Sequence, residues 1–353
     1  MNHNNLDSFP QQPLEFFNDI FSYYYQAVKK SQNISYYYQI AGFNICLNFP
    51  SPALISKIIP ALSHLKIDKV SSPDLTICLW DSHSTGVKMP PPPWEWNNLL
   101  PRGEVNALTC DKIYTSFQRG ANSLSLVDLE RNLAIYWVND PDLLPYWETS
   151  SSLRNILQVW FSDKNLQLIH GGAVGLPEGG VLLVGKGGSG KSTTALSCLD
   201  SELFYLSDDY SLITANPIPT AYSVYSTGKK KPDDVDRLPF LKPMISNLER
   251  LGEEKAVYFL HEHFPEKIIK TFPLKAVLIP RITGEKDSYL EKTSSIMGLS
   301  SLIPSTIKQL PHTGEKACKI MTDVVNQLPS YYLNLGTDIK QISSVIFNFL
   351  KTK

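Results

Sequence analysis

The stretch Val181–Leu196, VLLVGKGGSGKSTTAL, constrains the chain more than any other: an apolar run, a glycine-rich turn and a helix-forming segment follow one another directly. Gly185, Gly190, Lys191 and Ser192 fill the phosphate-loop spacing GxxxxGK followed by Ser or Thr without a mismatch. Glycines lack a Cβ, so the backbone N–H groups of Gly187, Gly188, Ser189, Gly190 and Thr193 can turn inward around phosphate oxygens, and the following helix presents its positive end. Lys191 suits the β- and γ-phosphates of ATP, and the Ser192 hydroxyl suits the shell of a Mg²⁺ ion. A buried strand before the loop and a helix after it are expected, which places this half of the chain in the α/β class.

The same residues also fit GxGxxG, and Asp208 lies where a dinucleotide fold carries its ribose-binding acid. Lys191 and Ser192 favour the mononucleotide loop, because a dinucleotide turn has no use for them. Asp208 and Asp209 interrupt the apolar run LFYLSDDYSLI. Adjacent strand residues point to opposite faces, so a bulge or a strand end is needed to bring both carboxylates to one site. Buried carboxylates at such a place imply a metal, a cation or a proton transfer.

Charge and cysteine content narrow the partners. With 33 Lys+Arg against 34 Asp+Glu, the chain has no global pull toward nucleic acid or an anionic membrane, so any anion must be held locally. The cysteines Cys46, Cys78, Cys110, Cys198 and Cys318 are odd in number and scattered, which predicts reduced thiols in a cytoplasmic protein. The first residues, MNHNNLDSFPQQPLEFFNDIF, lack the basic and apolar blocks of a targeting signal, and no run is long enough to span a membrane.

Elsewhere, hydrophobic spacing predicts a helix over 14–30, two strands over 36–49, a Ser51-capped helix interrupted at Pro60, and a strand over 73–80. Pro90–Pro93 followed by Trp94 and Trp96 reads as an extended connector. DKIYTSF and NLAIYWV read as strands, and LLPYWETSSSLRNILQVWF as one helix leading into the second half. There, LQLIHGGAVGL and GGVLLVG form a hairpin, PFLKPMISNLERLGEE is helix-like, AVLIPRI is a buried strand and DIKQISSVIFNFLKT an amphipathic helix. Residues 1–160 are expected to form a smaller α+β domain for acceptor recognition or assembly, and 161–353 a catalytic α/β domain. Lys229, Lys230 and Lys231 could clamp a phosphate or an acidic acceptor, but with Asp233, Asp234 and Asp236 alongside they read first as a solvated mixed-charge loop. Arg281 could reach a substrate from its strand end, while His261-Glu262-His263 reads as a polar loop without a third metal ligand.

From His170-Gly171, through Gly185–Ser192, to Asp208-Asp209, the chain resembles the catalytic core of the HPr serine kinase/phosphorylase family, whose phosphate-loop fold is akin to phosphoenolpyruvate carboxykinase. The resemblance covers about 50 residues closely and, by element order, the C-terminal half. It implies an ATP- and Mg²⁺-dependent kinase acting on a serine hydroxyl of a protein, peptide or small molecule, with a homo-oligomer possible. It further implies Lys191 and His170 at the transferred phosphate, Asp208 orienting or deprotonating the hydroxyl, and Ser192 with Asp209 at the metal; the order of the two Asp roles stays open in the sequence. The segment 226–239 is closer to relatives that modify acceptors other than HPr. A nucleotide-binding regulatory module, or an ATP hydrolase without an acceptor, is the alternative.

Overall fold

The computed structural model describes residues 12–96 and 99–352, so the first eleven residues of the stretch read for a targeting signal lie outside the described residues. The chain is a mixed α/β protein built on two mixed sheets. The first runs Lys66–Ile67, Ile34–Ile40, Phe43–Phe49, Leu75–Asp81, Leu133–Val138, Ser123–Asp128, Ile113–Gln118, with parallel pairs in its middle and antiparallel pairs toward its edges. Alternation sorts its side chains: Ile77 and Leu79 face one core, Cys78 and Trp80 the other. The helix Pro13–Lys29 covers the second face with Phe16, Phe17, Ile20 and Tyr24, matching the aromatic spacing of its sequence.

The other face is covered by the helix Arg154–Asp163. Its Trp160 and Phe161 are fully buried and meet Phe43 edge-on, contributing about 2–3 kcal/mol each by area. The expected division at residue 160 therefore falls inside a helix. Its core is continuous with that of the second half, through Leu168, Leu212 and Tyr225.

The second sheet has nine strands. Its main path runs Phe204–Ser207, Gly172–Leu176, Gly179–Leu183, Thr271–Ile282, Thr220–Ser223, Tyr210–Thr214, Gln167–His170, and Ser330–Leu335 with Tyr289–Thr293 branches from the long strand Thr271–Ile282. Val181 and Leu183 pack toward the helices Lys191–Ser197 and Ile339–Lys351; Leu182 and Val184 pack toward Ser295–Gln309 and Glu315–Asn326. A near-continuous apolar strand is what two covered faces require. Among the described residues, no helix is long and apolar enough to cross a membrane.

Several local expectations change. The segment 143–161 is not one helix: it breaks into Tyr146–Thr149 and Arg154–Asp163, with Leu153 in the left-handed region at φ 59° between them. The segment 239–254 forms short 3₁₀ turns, since Pro243 withholds a backbone donor. Ser123–Asp128 is a strand that its serine content concealed. The apolar run 204–214 is two strands that part at Asp208-Asp209 and enter opposite ends of the sheet path. Beside that break, Gln167–His170 and Gly172–Leu176 part at Gly171 in the same way, so two crossovers lie side by side. The approach is close enough that a Cβ on Gly172 would stand 2.8 Å from the Asp208 carbonyl oxygen.

Candidate functional site

The strand Gly179–Leu183 delivers the chain to the glycine loop, which Gly185, Gly188 and Gly190 turn with φ of +145°, +82° and +107° before the helix Lys191–Ser197. At Gly190 packing adds to the backbone demand, because a Cβ there would approach Leu335 Cδ1 to 2.3 Å. Gly187 and Gly188 have open space where side chains would be, leaving a bare backbone turn. The Lys191 ammonium donates to the carbonyl oxygens of Gly185 at 2.6 Å and Lys186 at 3.2 Å. Burial pushes its pKa down, against the pull of Asp209 and Asp208.

The two crossovers bring His170, Asp208 and Asp209 beside this loop. Both carboxylates leave regular strands, and they have different surroundings. Asp208 is buried: its Oδ2 accepts the Lys229 backbone N–H at 3.0 Å, while Oδ1 has no hydrogen-bond partner. Burial and the neighbouring Asp209 charge raise its pKa, against the Ser192 hydroxyl and the Lys229 backbone N–H. Asp209 is a quarter exposed, with 26% of its side chain open to solvent, and is gripped at both oxygens. Its Oδ1 lies 3.0 Å from His170 Nε2 and its Oδ2 lies 2.5 Å from Lys229 Nζ. Burial would raise its pKa, but Lys229 and His170 overcome that and hold it well below the ordinary carboxylate range. An ionised carboxylate can only accept, so the proton of His170 sits on Nε2. His170 is fixed from behind by the helix Ser295–Gln309: its Nδ1 meets Ser305 Oγ at 2.5 Å, and Thr306 Oγ1 accepts its backbone N–H.

For Lys229 and Lys230 the favoured solvated-loop reading is corrected. They are not a solvated loop but the end of the strand Thr227–Lys230, paired with Ala256–Phe259, and they are only 7% and 4% exposed. Lys230 Nζ donates to Thr193 Oγ1 at 2.7 Å, directly on the loop helix. The apolar residues Tyr222, Val224 and Tyr225 before them were the available signal, outweighed by the acidic residues after them. Lys231 is exposed, as expected.

These groups line a cleft of about 260 Å³ with Lys191, Lys229, Lys230, Lys231, Arg237 and Lys255 set against Asp209 and Asp234. In a near-neutral chain this is a local concentration of positive charge. A second cleft of about 810 Å³ adjoins it through His170, Gly187, Gly188 and Ile282, and runs between the loop and Ser300, Ser301, Pro304 and Ser305. Arg281 lines this second cleft but is held by Glu291 and Asn334. A larger depression of about 950 Å³, beside Ser197, Phe240 and Phe347, includes neither Lys191 nor the Asp pair and is set aside on chemical grounds. His261 meets Ser63 Oγ, and among the described residues no cluster of three or more His, Cys, Asp or Glu side chains has metal-binding geometry.

No known protein-family model matches the sequence, and no curated protein does. Among solved structures, the chain has a distant neighbour in the HPr(Ser) kinase/phosphatase from Coxiella burnetii. The TM-score is 0.31 at 9% identity, covering 53% of this chain and 97% of that one. At that distance no argument passes from one protein to the other, and the functional reading rests on the side chains of the cleft.

Proposed function

We propose that the chain is an ATP- and Mg²⁺-dependent kinase that transfers the γ-phosphoryl group to a serine hydroxyl of a protein, peptide or small acceptor. One observation carries the reading: the buried Asp208 carboxylate, whose Oδ1 has no well-formed hydrogen bond, stands close to the Ser192 hydroxyl and to Lys191 at a bare glycine turn. An unpaired buried carboxylate is expensive unless it has a use, and a hydroxyl with one carboxylate is the small protein contribution that Mg²⁺ takes alongside phosphate oxygens and water. The donor set thus fits the ion through Ser192 and Asp208, which exchanges the two Asp roles implied by the family resemblance.

The backbone of Gly187–Thr193 would hold the phosphates, with Lys191 and Lys230 neutralising their charge. Mg²⁺, held by Ser192 and Asp208, would supply charge neutralisation for the transferred phosphate. Asp209 faces the open side of the cleft, where it can accept a hydrogen bond from the acceptor hydroxyl. As the acceptor oxygen bonds to the γ-phosphorus, the bond to the leaving oxygen of ADP breaks and the hydroxyl proton passes to Asp209 and then to solvent. The grip of Lys229 and His170 makes Asp209 a weak base, which suits a loose transition state in which proton transfer comes late. Positioning and charge, rather than covalent chemistry, supply the rate.

The test is transfer from γ-labelled ATP to seryl peptides, seryl proteins and free serine. Acceptor-dependent labelling that Lys191→Ala abolishes supports the reading. Phosphate release to water alone would favour the hydrolase, nucleotide binding without turnover would favour the regulatory module, and absence of nucleotide binding would overturn all three.

A further inference from the structure

We infer that the segment Ser151–Arg154, which enters from the N-terminal half of the chain, is a positioning element of the cleft: Ser151 acts on Lys229, and Arg154 acts through Tyr210 on His170. Neither residue lies at the phosphate loop or lines the two clefts beside it.

The segment is built into the second half at successive residues. Ser150, Ser151, Ser152 and Leu153 are at most 1% exposed. The Ser150 carbonyl accepts the Thr227 hydroxyl at 2.7 Å, and the Ser152 carbonyl accepts the Tyr225 hydroxyl at 2.8 Å. These bonds anchor the segment to the chain that leads into Lys229. Between them, Ser151 Oγ accepts a hydrogen bond from Lys229 Nζ at 3.3 Å, on the same ammonium that grips Asp209. The left-handed turn at Leu153 then swings Arg154 toward the site. Its Nη1 donates to the Tyr210 hydroxyl at 3.1 Å, and its guanidinium stands 5.2 Å from the centre of the same ring.

Tyr210 is the hub. Its ring lies 5.9 Å from the His170 ring and 5.5 Å from Lys229 Nζ, so it packs against both groups that hold Asp209. A cation against an aromatic face is attracted to it, and removing Arg154 frees the ring that both holders lean on. Long side chains such as Lys229 keep one geometry only when several partners fix them, and preorganisation within a fraction of an ångström is what a phosphoryl-transfer site requires. A left-handed non-glycine residue and a run of buried serines are also costly as mere linker, which fits a segment retained for what it positions.

What the cleft does rests on the kinase reading above; the positioning itself does not, and the test separates them. The full-length chain is labelled with ¹⁵N-histidine, His170→Gln assigns the His170 ring signals, and wild type is compared with Arg154→Met, Arg154→Lys and Ser151→Ala. The His170 signals are expected to move in Arg154→Met, to return part of the way in Arg154→Lys, and to move less in Ser151→Ala. With MgATP as the probe, turnover is expected to fall about 100-fold in Arg154→Met and about 3-fold in Ser151→Ala, while nucleotide Kd stays within about 2-fold. Unmoved His170 signals in folded Arg154→Met and Ser151→Ala overturn the inference, as do equal losses in Kd and turnover. Should Arg154→Met fail to fold, Ser151→Ala decides alone. A wild type that neither binds nor turns over MgATP defeats the kinase reading and leaves the His170 signals to decide the positioning claim.

Discussion

The seven-stranded sheet and the glycine-loop cleft both bury carboxylates, and they treat them in opposite ways. In and against the first, Asp128 takes the backbone N–H and guanidinium of Arg131, Asp81 caps the turn at Ser84, and Glu148, on the helix Tyr146–Thr149, accepts the hydroxyl of the strand residue Tyr136 at 2.7 Å. At the cleft, Asp209 lines the wall and its neighbour Asp208, buried behind it, keeps an orphaned oxygen. Two lysines of the cleft diverge: burial pulls Lys191 down, whereas at Lys229 burial is overcome by the combined attraction of Asp209, Tyr210 and Asp208, which raises it. An orphaned oxygen alone does not set the cleft apart, since buried Glu104 Oε2 beside the first sheet also lacks a hydrogen bond, with Arg102 at 3.7 Å; what differs is that Asp208 stands next to a second carboxylate.

The sharpest way to break this contrast is Lys191→Ala, which should lower phosphotransfer by about 10³-fold with little change in melting temperature, read by labelled-ATP transfer beside calorimetry. Asp208→Asn should lower turnover by about 10²-fold, yet raise Tm by about 2–4 °C, because it removes a buried charge next to Asp209. Asp128→Asn should do the reverse, costing about 1–2 kcal/mol in urea unfolding and leaving turnover unchanged. If both substitutions destabilise the chain equally, the contrast fails.

A subtler effect concerns acid. Asp209 has a folded pKa held below its ordinary value of 3.8, so the stability it contributes is present above that value and is lost as pH falls through the lower folded one. Asp208 is raised, so its contribution is present at low pH and is lost as pH rises through its folded pKa. Urea unfolding of Asp209→Asn between pH 3 and 7 should therefore show a smaller acid loss than wild type. The smallest effect is expected from Lys230→Met, a several-fold weakening of nucleotide affinity by titration calorimetry with turnover at saturation nearly kept.

The legible parts of the site were those whose chemistry is local. Glycines at fixed offsets dictate a turn by themselves, and an apolar run before it dictates a strand, so the loop and its helix could be placed from residues alone. The Asp pair was half legible: its burial followed from flanking Leu and Tyr residues, but the projection of both carboxylates depends on a second chain crossing at Gly171-Gly172, which leaves no mark near residue 208. Lys229 and Lys230 were hidden because their burial comes from pairing with Ala256–Phe259, distant in sequence. Ser151 and Arg154 were hidden for the same reason, behind a helix pattern that Leu153 interrupts.

The paired crossovers have a consequence for assembly. Because the chain passes between opposite ends of the sheet path at both His170-Gly172 and Ser207-Tyr210, neither end can form alone and still present the site. His170 comes from the strand at one end and the loop from Gly179–Leu183, third from the other end, so a partly folded chain holds the pieces of the cleft but not their conjunction. On the proposed kinase reading, a nucleotide that binds only the completed cleft would stabilise the chain by holding these two parts of the sheet together.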